Sequence, residues 1–194
     1  ADSYQYQNNQ HRKEQQTLST KITLLLGSLL MSSVSLAAPF TIEPKSNWNI
    51  INDTVMGGVS SSSVSYDNKV ATFSGELSLD NNGGFASTRA RLTAKVPAKA
   101  THVNIRVKGD GRQYQLRLRT SNDWDAAAYS RTFNTESGKW LTYQFSAEEF
   151  IALFRGQIID APKLNLTDVK QVGFLLADKQ AGQFSLSFKS ILLD

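Results

Sequence analysis

The chain has 194 residues, 40% hydrophobic and 20% charged, with a net charge of +4 and no cysteine. These are values of an ordinary globular domain that can bury a core without staples, and they exclude disulfides, thiolate metal sites and a cysteine nucleophile. With only two histidines, His11 and His102, and no arginine-rich run, there is no basis for a histidine-rich zinc site or a dedicated nucleic-acid surface.

Residues 1–20 are polar, rich in Gln and Asn, and carry no apolar period. Lys21 then precedes ITLLLGSLLMSSVSLAAPF, in which a basic start, an apolar run and the small residues around Ser35-Leu36-Ala37 form the three-part pattern of a secretory signal. Gly27 and several serines interrupt the run, which is short for a membrane span of about 20 apolar residues. Residues 1–37 are therefore read as a polar extension plus a signal-peptide-like segment, and 38–194 as one domain without a stable membrane span. The expected location is the periplasm or cell envelope; translation from Met31 would instead leave a cytoplasmic protein.

From residue 39 the signals are β. KVATFSGELSL sets Phe73, Gly75, Leu77 and Leu79 at alternate positions, the period of a half-buried strand. THVNIRVKGDGRQYQLRLRT reads as a hairpin. Val103, Ile105 and Val107 face one way, Tyr114, Leu116 and Leu118 do so on the return, and Gly109-Asp110-Gly111 supplies the tight turn. Leu141, Tyr143 and Phe145 mark another strand, and Phe184, Leu186 and Phe188 alternate near the end, after a turn signalled at Gly182. One helix is expected after Ser146. Glu149 completes a capping box, Phe150, Leu153 and Phe154 form a stripe, and Gly156 ends it. Many short strands with a single short helix predict an all-β antiparallel sandwich.

The outward side of the expected hairpin would gather Asn104, Arg106 and Lys108 with Gln115, Arg117 and Arg119 on one basic sheet face. Such a face can donate to carboxylates, phosphates or sugar hydroxyls, or serve as a solvated surface. Asp53, Asp110, Asp123, Asp125 and Asp178 could supply a carboxylate pair for glycoside hydrolysis, but all five fall in loops or at strand ends, where Asp serves turns. His102 has no nucleophile-elbow context. The glycines of MGG and NNGG lack the Lys-Ser/Thr and helix of a phosphate loop, and GDGRQ lacks the spaced carboxylates of a calcium loop. No catalytic residue, metal or cofactor is expected. Trp48, Trp124 and Tyr129 are candidate sugar-stacking aromatics beside polar loops, with core packing the competing role, above all for Trp48 and Trp140.

INDTVMGGVSSSSVSY is dense in residues with special backbone chemistry. Asn52 and Asp53 can fold onto their own backbone, and Gly57-Gly58 reaches conformations closed to other residues. With W-x-x-I-N-D-T-V-M-G-G-V-S-S-S, F-S-G-x-L-S-L-x-N-N-G-G-F-A-S-x-R and V-K-G-D-G-R-x-Y-x-L-R-L-R-T in this order, the chain resembles the complex I intermediate-associated protein 30 family. The later W-L-T-Y-Q-F and V-G-F-L-L-A-D-K-Q-A-G segments resemble it too. The resemblance runs from about Phe40 to Leu193, and the leader resembles an export signal, as expected of a bacterial member.

It implies a galactose-binding-domain-like jelly roll and a non-catalytic protein-binding role of the kind played by assembly factors or chaperones of NADH:ubiquinone oxidoreductase. An exported module that binds carbohydrate or envelope glycan is the alternative. The matching positions expected to form the characteristic surface are Asn52, Asp53, Met56, Gly57, Gly58, Asn82, Gly83, Gly84, Phe85, Arg89, Asp110, Arg112 and Arg119, joined by Arg117 and Trp124 from the basic face and the aromatic candidates.

Overall fold

The computed structural model describes residues 38–123 and 125–194. The leader, the Met31 start and Trp124 lie outside them. The described chain is all-β: fourteen strands in two antiparallel sheets. In the first sheet β1 (Phe40–Ile42) neighbours β14 (Ile191–Leu193), then come β6 (His102–Lys108), β13 (Gly182–Phe188), β4 (Val70–Leu77) and β3 (Ser61–Asp67), with β9 (Trp140–Ser146) also on β6. The second sheet runs β11 (Gln157–Ile158), β10 (Ile151–Phe154), β8 (Ala128–Asn134), β7 (Gln113–Arg119), β12 (Gln171–Leu176), β5 (Ala86–Arg91) and β2 (Asn49–Asn52).

The alternation sets the core as expected. Phe73, Val103, Ile105, Val107, Leu116, Leu118, Leu186 and Phe188 are at most 1% exposed. Phe174 from the second sheet meets Phe188 from the first at 4.8 Å between ring centres, and Trp48 closes on both. Such aromatic pairs add about 1 kcal/mol each beyond their area. Gly75 lets β3 approach β4, since a Cβ there would lie 2.0 Å from the Ser61 carbonyl oxygen. Leu79 falls beyond β4 and is 45% exposed.

The expected hairpin at Gly109–Gly111 is not one. β6 pairs with β9, β13 and β14, whereas β7 pairs with β8 and β12, so the segment carries the chain from one sheet to the other. Val103, Ile105 and Val107 therefore face Tyr114, Leu116 and Leu118 across the core. The glycines still have distinct reasons: Gly111 has φ +97°, while a Cβ on Gly109 would meet Thr135 at 2.4 Å. Arg112 locks the crossing. Its Nε and Nη2 donate to the two oxygens of Asp178 at 2.9 and 2.6 Å, and Nη1 reaches the Gln183 carbonyl.

The expected helix is also corrected. The capping box forms, with Ser146 N donating to Glu149 Oε2 at 2.8 Å, but it caps only a single 3-10 turn, Ala147–Glu149. Ile151–Phe154 then pairs as a strand with β8. The stripe spacing of Phe150, Leu153 and Phe154 is compatible with a helix, yet Arg155 (φ 48°) and Gly156 (φ 79°) make a two-residue turn into β11, the geometry that joins hairpin strands. Asn68 and Lys69 (φ 44° and 65°) do the same between β3 and β4.

Candidate functional site

The residues proposed from sequence fall in three places rather than one. The first is built around Asp53, which is fully buried at the end of β2. Its Oδ1 accepts from the Ser60 amide at 2.9 Å, and its Oδ2 accepts from the Ser60 hydroxyl at 2.5 Å, the Gly84 amide at 2.7 Å and the Phe85 amide at 3.3 Å. Burial alone would raise this carboxyl. The Ser60 hydroxyl and the amides of Gly84, Ser60 and Phe85 outweigh it and hold it below the ordinary carboxylate range.

Both glycine motifs are explained by this one carboxylate. A Cβ on Gly58 would sit 2.4 Å from Asp53 Cγ, and one on Gly83 would sit 2.6 Å from Oδ2. Gly57 and Gly84 supply positive φ, +92° and +123°, and Asn82 turns the chain at φ 57°. Asn52 is buried beside the cluster, bonded to the Ser60 carbonyl and the Ser62 hydroxyl. Of the four serines, Ser60 and Ser62 are thus internal partners, which their neighbours in sequence do not signal. What the loop presents outward is mostly apolar: Val55, Met56 and Val59 are 59%, 68% and 53% exposed beside Thr54, with Leu79 near half.

The second place is the crossing between sheets. Asp110 accepts from the Arg112 amide, the Tyr114 hydroxyl and the Ser185 amide at 2.8–3.0 Å, while Arg112 is held by Asp178. Asp110 and Arg112 therefore serve the fold. Asp53, Asp110 and Arg119 do not converge on a cleft.

The third is the outer face of the second sheet. On β12, Gln171, Gly173 and Leu175 point outward. Register sets Arg119 and Arg91 on either side of Gln171, Arg117 and Arg89 on either side of Gly173, and Gln115 and Ser87 on either side of Leu175. Arg89 is 7% exposed, and Arg117 and Arg119 are half-buried. Burial and then Arg91 lower Arg89, and burial and then Arg89 lower Arg117. Burial, then Arg117 and Arg89, push Arg119 down to about 9. A guanidinium stays charged at neutral pH even so. The Nε atoms of Arg117 and Arg119 are buried without an acceptor. Nearby, Ser130 Oγ donates to Gln115 at 2.9 Å and Gln171 Nε2 to the Ser121 carbonyl at 2.8 Å. Just past Arg119, Thr120 and Asn122 line a pocket with Lys95, Asp168 and Lys170.

Arg106 and Lys108, expected beside these arginines, lie on the opposite outer face because β6 belongs to the other sheet. There they surround Trp140 with Lys189, each cation within 6 Å of the ring centre. Trp48 is not a surface platform: it packs on the core and donates from Nε1 to the Pro44 carbonyl at 2.9 Å. Tyr129 also packs on the core, its hydroxyl on the Pro162 carbonyl. Sequence reasoning missed Arg91, Gln171 and Gly173, whose place depends on strand order. No described helix is long and apolar enough to cross a membrane.

The sandwich is similar to the family 11 carbohydrate-binding module of a cellulosomal cellulase of Clostridium thermocellum, with a TM-score of 0.61 at 15% identity over 82% of this chain and 96% of that one. The same module in complex with a β-1,3-1,4-mixed-linked tetrasaccharide superposes with a TM-score of 0.60 at 15% identity, over 81% and 96%. At such identity the likeness concerns the fold. In sequence, 96 residues are 28% identical to a probable mitochondrial complex I intermediate-associated protein 30 of Caenorhabditis briggsae. That match covers 47% of this chain and 28% of the longer relative. The profile of complex I intermediate-associated protein 30 matches residues 39–188, a span that holds the Asp53 loop, the sheet crossing and the arginine face, and the chain belongs to that family.

Proposed function

We propose that the chain is a non-catalytic binding module that docks a protein partner of the respiratory complex I assembly type through its 54–59 loop. One observation carries this reading. A fully buried carboxylate, Asp53, holds from beneath a loop that exposes Val55, Met56 and Val59 beside Thr54. Fixed apolar side chains at the surface are a feature of interaction sites, and a preordered loop loses little entropy on binding. Family membership supports the same direction.

The test is native-gel separation of host membrane extracts carrying the tagged full chain. Co-migration with NADH:ubiquinone oxidoreductase intermediates is expected, with loss in Met56→Glu and Val59→Glu. Absence of co-migration, or equal co-migration of the variants, overturns the reading.

A second reading, binding of envelope glycan by an exported form, is supported by the carbohydrate-binding-module fold and by the polar outer face of the second sheet. The two readings require different locations, the cytoplasmic face of the membrane and the envelope. Cell fractionation with an antibody to residues 38–194 separates them.

A further inference from the structure

We infer that β9 is a docking edge for an extended acidic segment of a protein partner, which adds to the first sheet as a further antiparallel strand. This edge is a different site from the 54–59 loop, and its test does not depend on that loop.

The direction of the backbone groups on β6 leaves this edge free. His102 exchanges both backbone hydrogen bonds with Asp194, and the Arg106 carbonyl accepts from the Lys189 amide at 3.0 Å. Backbone groups alternate sides along a strand, so His102, Asn104, Arg106 and Lys108 face β14 and β13. Val103, Ile105 and Val107 then face β9, where register sets them opposite Phe145, Tyr143 and Leu141. The amides and carbonyls of Trp140, Thr142 and Gln144 therefore point off the ladder, to a side where no described strand meets them. Ser146 points the same way, and its amide goes to Glu149 instead. Thr142 and Gln144 are exposed.

Sheet edges are normally blunted by being short, or by Lys, Pro or a bulge. The edge strands β1, β2 and β11 are short, and β3 is mostly serine and ends in Asp67. β9 has seven residues, WLTYQFS, without a charge, Gly or Pro. Its two faces specify what can be added. On the core side Leu141 and Tyr143 are half-buried at the margin of the sheet, so an added strand turns apolar side chains there. On the outer side Arg106, Lys108 and Lys189 gather at 5.4–5.9 Å from the Trp140 ring centre. None of the ion pairs among the described residues includes these three cations. Glu or Asp on the added strand, level with Trp140 and Thr142, supplies the missing opposite charge. Strand addition draws affinity from main-chain bonds and specificity from alternate side chains, and the segment that fits alternates acidic with apolar residues. A second copy of this chain is the weaker occupant, because β9 against β9 would bring two sets of the same cations onto one face.

Calorimetric titration of the full chain with the end-blocked peptide Glu-Val-Glu-Val-Glu-Val-Glu tests the inference. Binding is expected, weakened by added salt, and absent when Lys replaces every Glu. Methylating the amides of the Glu residues, which face β9, should weaken binding at least tenfold, whereas methylating those of the Val residues should not. In the protein, Thr142→Pro removes an amide that no ladder bond uses and should cost at least tenfold in affinity. Lys108→Glu combined with Lys189→Glu should cost as much, and Lys69→Glu in the turn between β3 and β4 should keep the affinity. The methylated peptides leave the protein unaltered, so they decide the matter if Thr142→Pro lowers the melting temperature. No binding of the Glu-Val peptide, equal loss with either set of methyl groups, or undiminished affinity in the Lys108, Lys189 double variant overturns the inference. Equally tight binding of oligogalacturonate, which has the charge but no amides, also overturns it. The loop reading stands or falls apart from these outcomes, since Met56→Glu should bind the peptide unchanged.

Discussion

Asp53 and Gly84 are 31 residues apart in sequence, and the carboxylate Oδ2 of one accepts from the amide of the other at 2.7 Å. Through this contact the Asn52–Gly58 loop and the Asn82–Phe85 loop become one rigid corner of the sandwich. Four of its hydrogen bonds end on this one carboxylate.

Replacing Asp53 by Ala strands the amides of Ser60, Gly84 and Phe85 and leaves the Ser60 hydroxyl only the Ser78 carbonyl at 3.3 Å. Buried donors without partners cost about 1–3 kcal/mol each before relaxation, so a loss of about 3 kcal/mol or more is expected. Urea unfolding measures it. Asp53→Asn retains part of the acceptor capacity and is expected to lose less.

The same carboxylate gives the fold an acid limit. Asp53 and Asp178 both titrate below the ordinary carboxylate value in the folded chain. The unfolded chain therefore binds more protons in that window, and stability rises with pH across it. The contribution is complete above the unfolded value near 4 and is lost as pH falls through the lower folded values. Denaturant midpoints compared at pH 5 and pH 3 should fall steeply for the native chain and less for Asp53→Asn.

Two glycines, one in the Asp53 loop and one in the turn before β9, should separate by cause. Gly58→Ala forces a Cβ to 2.4 Å from Asp53 Cγ, and overpacking of that kind costs about 1–3 kcal/mol or more. Gly138→Ala, at φ +73° in open space, meets only the backbone penalty, on the order of 1 kcal/mol. Thermal unfolding of the two variants orders them. An equal effect would mean that steric contact with Asp53 is not what requires Gly58.

The arginine face should trade stability for charge. Removing a cation from a repelling cluster relieves strain, so Arg119→Gln is expected to melt no lower than the native chain. Each kcal/mol relieved raises the midpoint by about 2–4 °C in a domain of this size. Sulfate, which stabilises proteins generally, should stabilise the native chain more than it stabilises the Arg117→Gln, Arg119→Gln double variant. Equal increments would show that the cluster does not attract anions.

Much of the fold was legible because side-chain alternation is a local property. Phe184, Leu186 and Phe188 declare their inward face by spacing alone. Which strand lies beside which is a different kind of information. Val103–Val107 and Tyr114–Leu118 have matching inward faces whether they pair in one sheet or oppose each other across the core, and Gly109-Asp110-Gly111 suits both paths. The stripe of Phe150, Leu153 and Phe154 was ambiguous for a similar reason, decided by the Arg155-Gly156 turn and the partner strand β8. At the site, Arg89, Arg117 and Arg119 were all recognised singly. Their meeting was not, because it runs through Gly173 on a strand some fifty residues later, and a glycine carries no sign of what its neighbours hold. The Asn-Asp and Gly-Gly motifs stood out for their backbone chemistry, but Ser60, their main partner, was hidden in a run of four serines.

The passage of the chain from one sheet to the other at Gly109–Gly111 also decides how charge is distributed over the molecule. The cations of β6 and those of β7 are adjacent in sequence yet lie on opposite outsides, separated by the thickness of two packed sheets, about 10 Å between layers. The domain thus carries cations on both outer faces. For any polyanion that binds, the molar ratio at saturation is a more discriminating measurement than affinity: one site per chain for the arginine face alone, and two when the Trp140 side takes part.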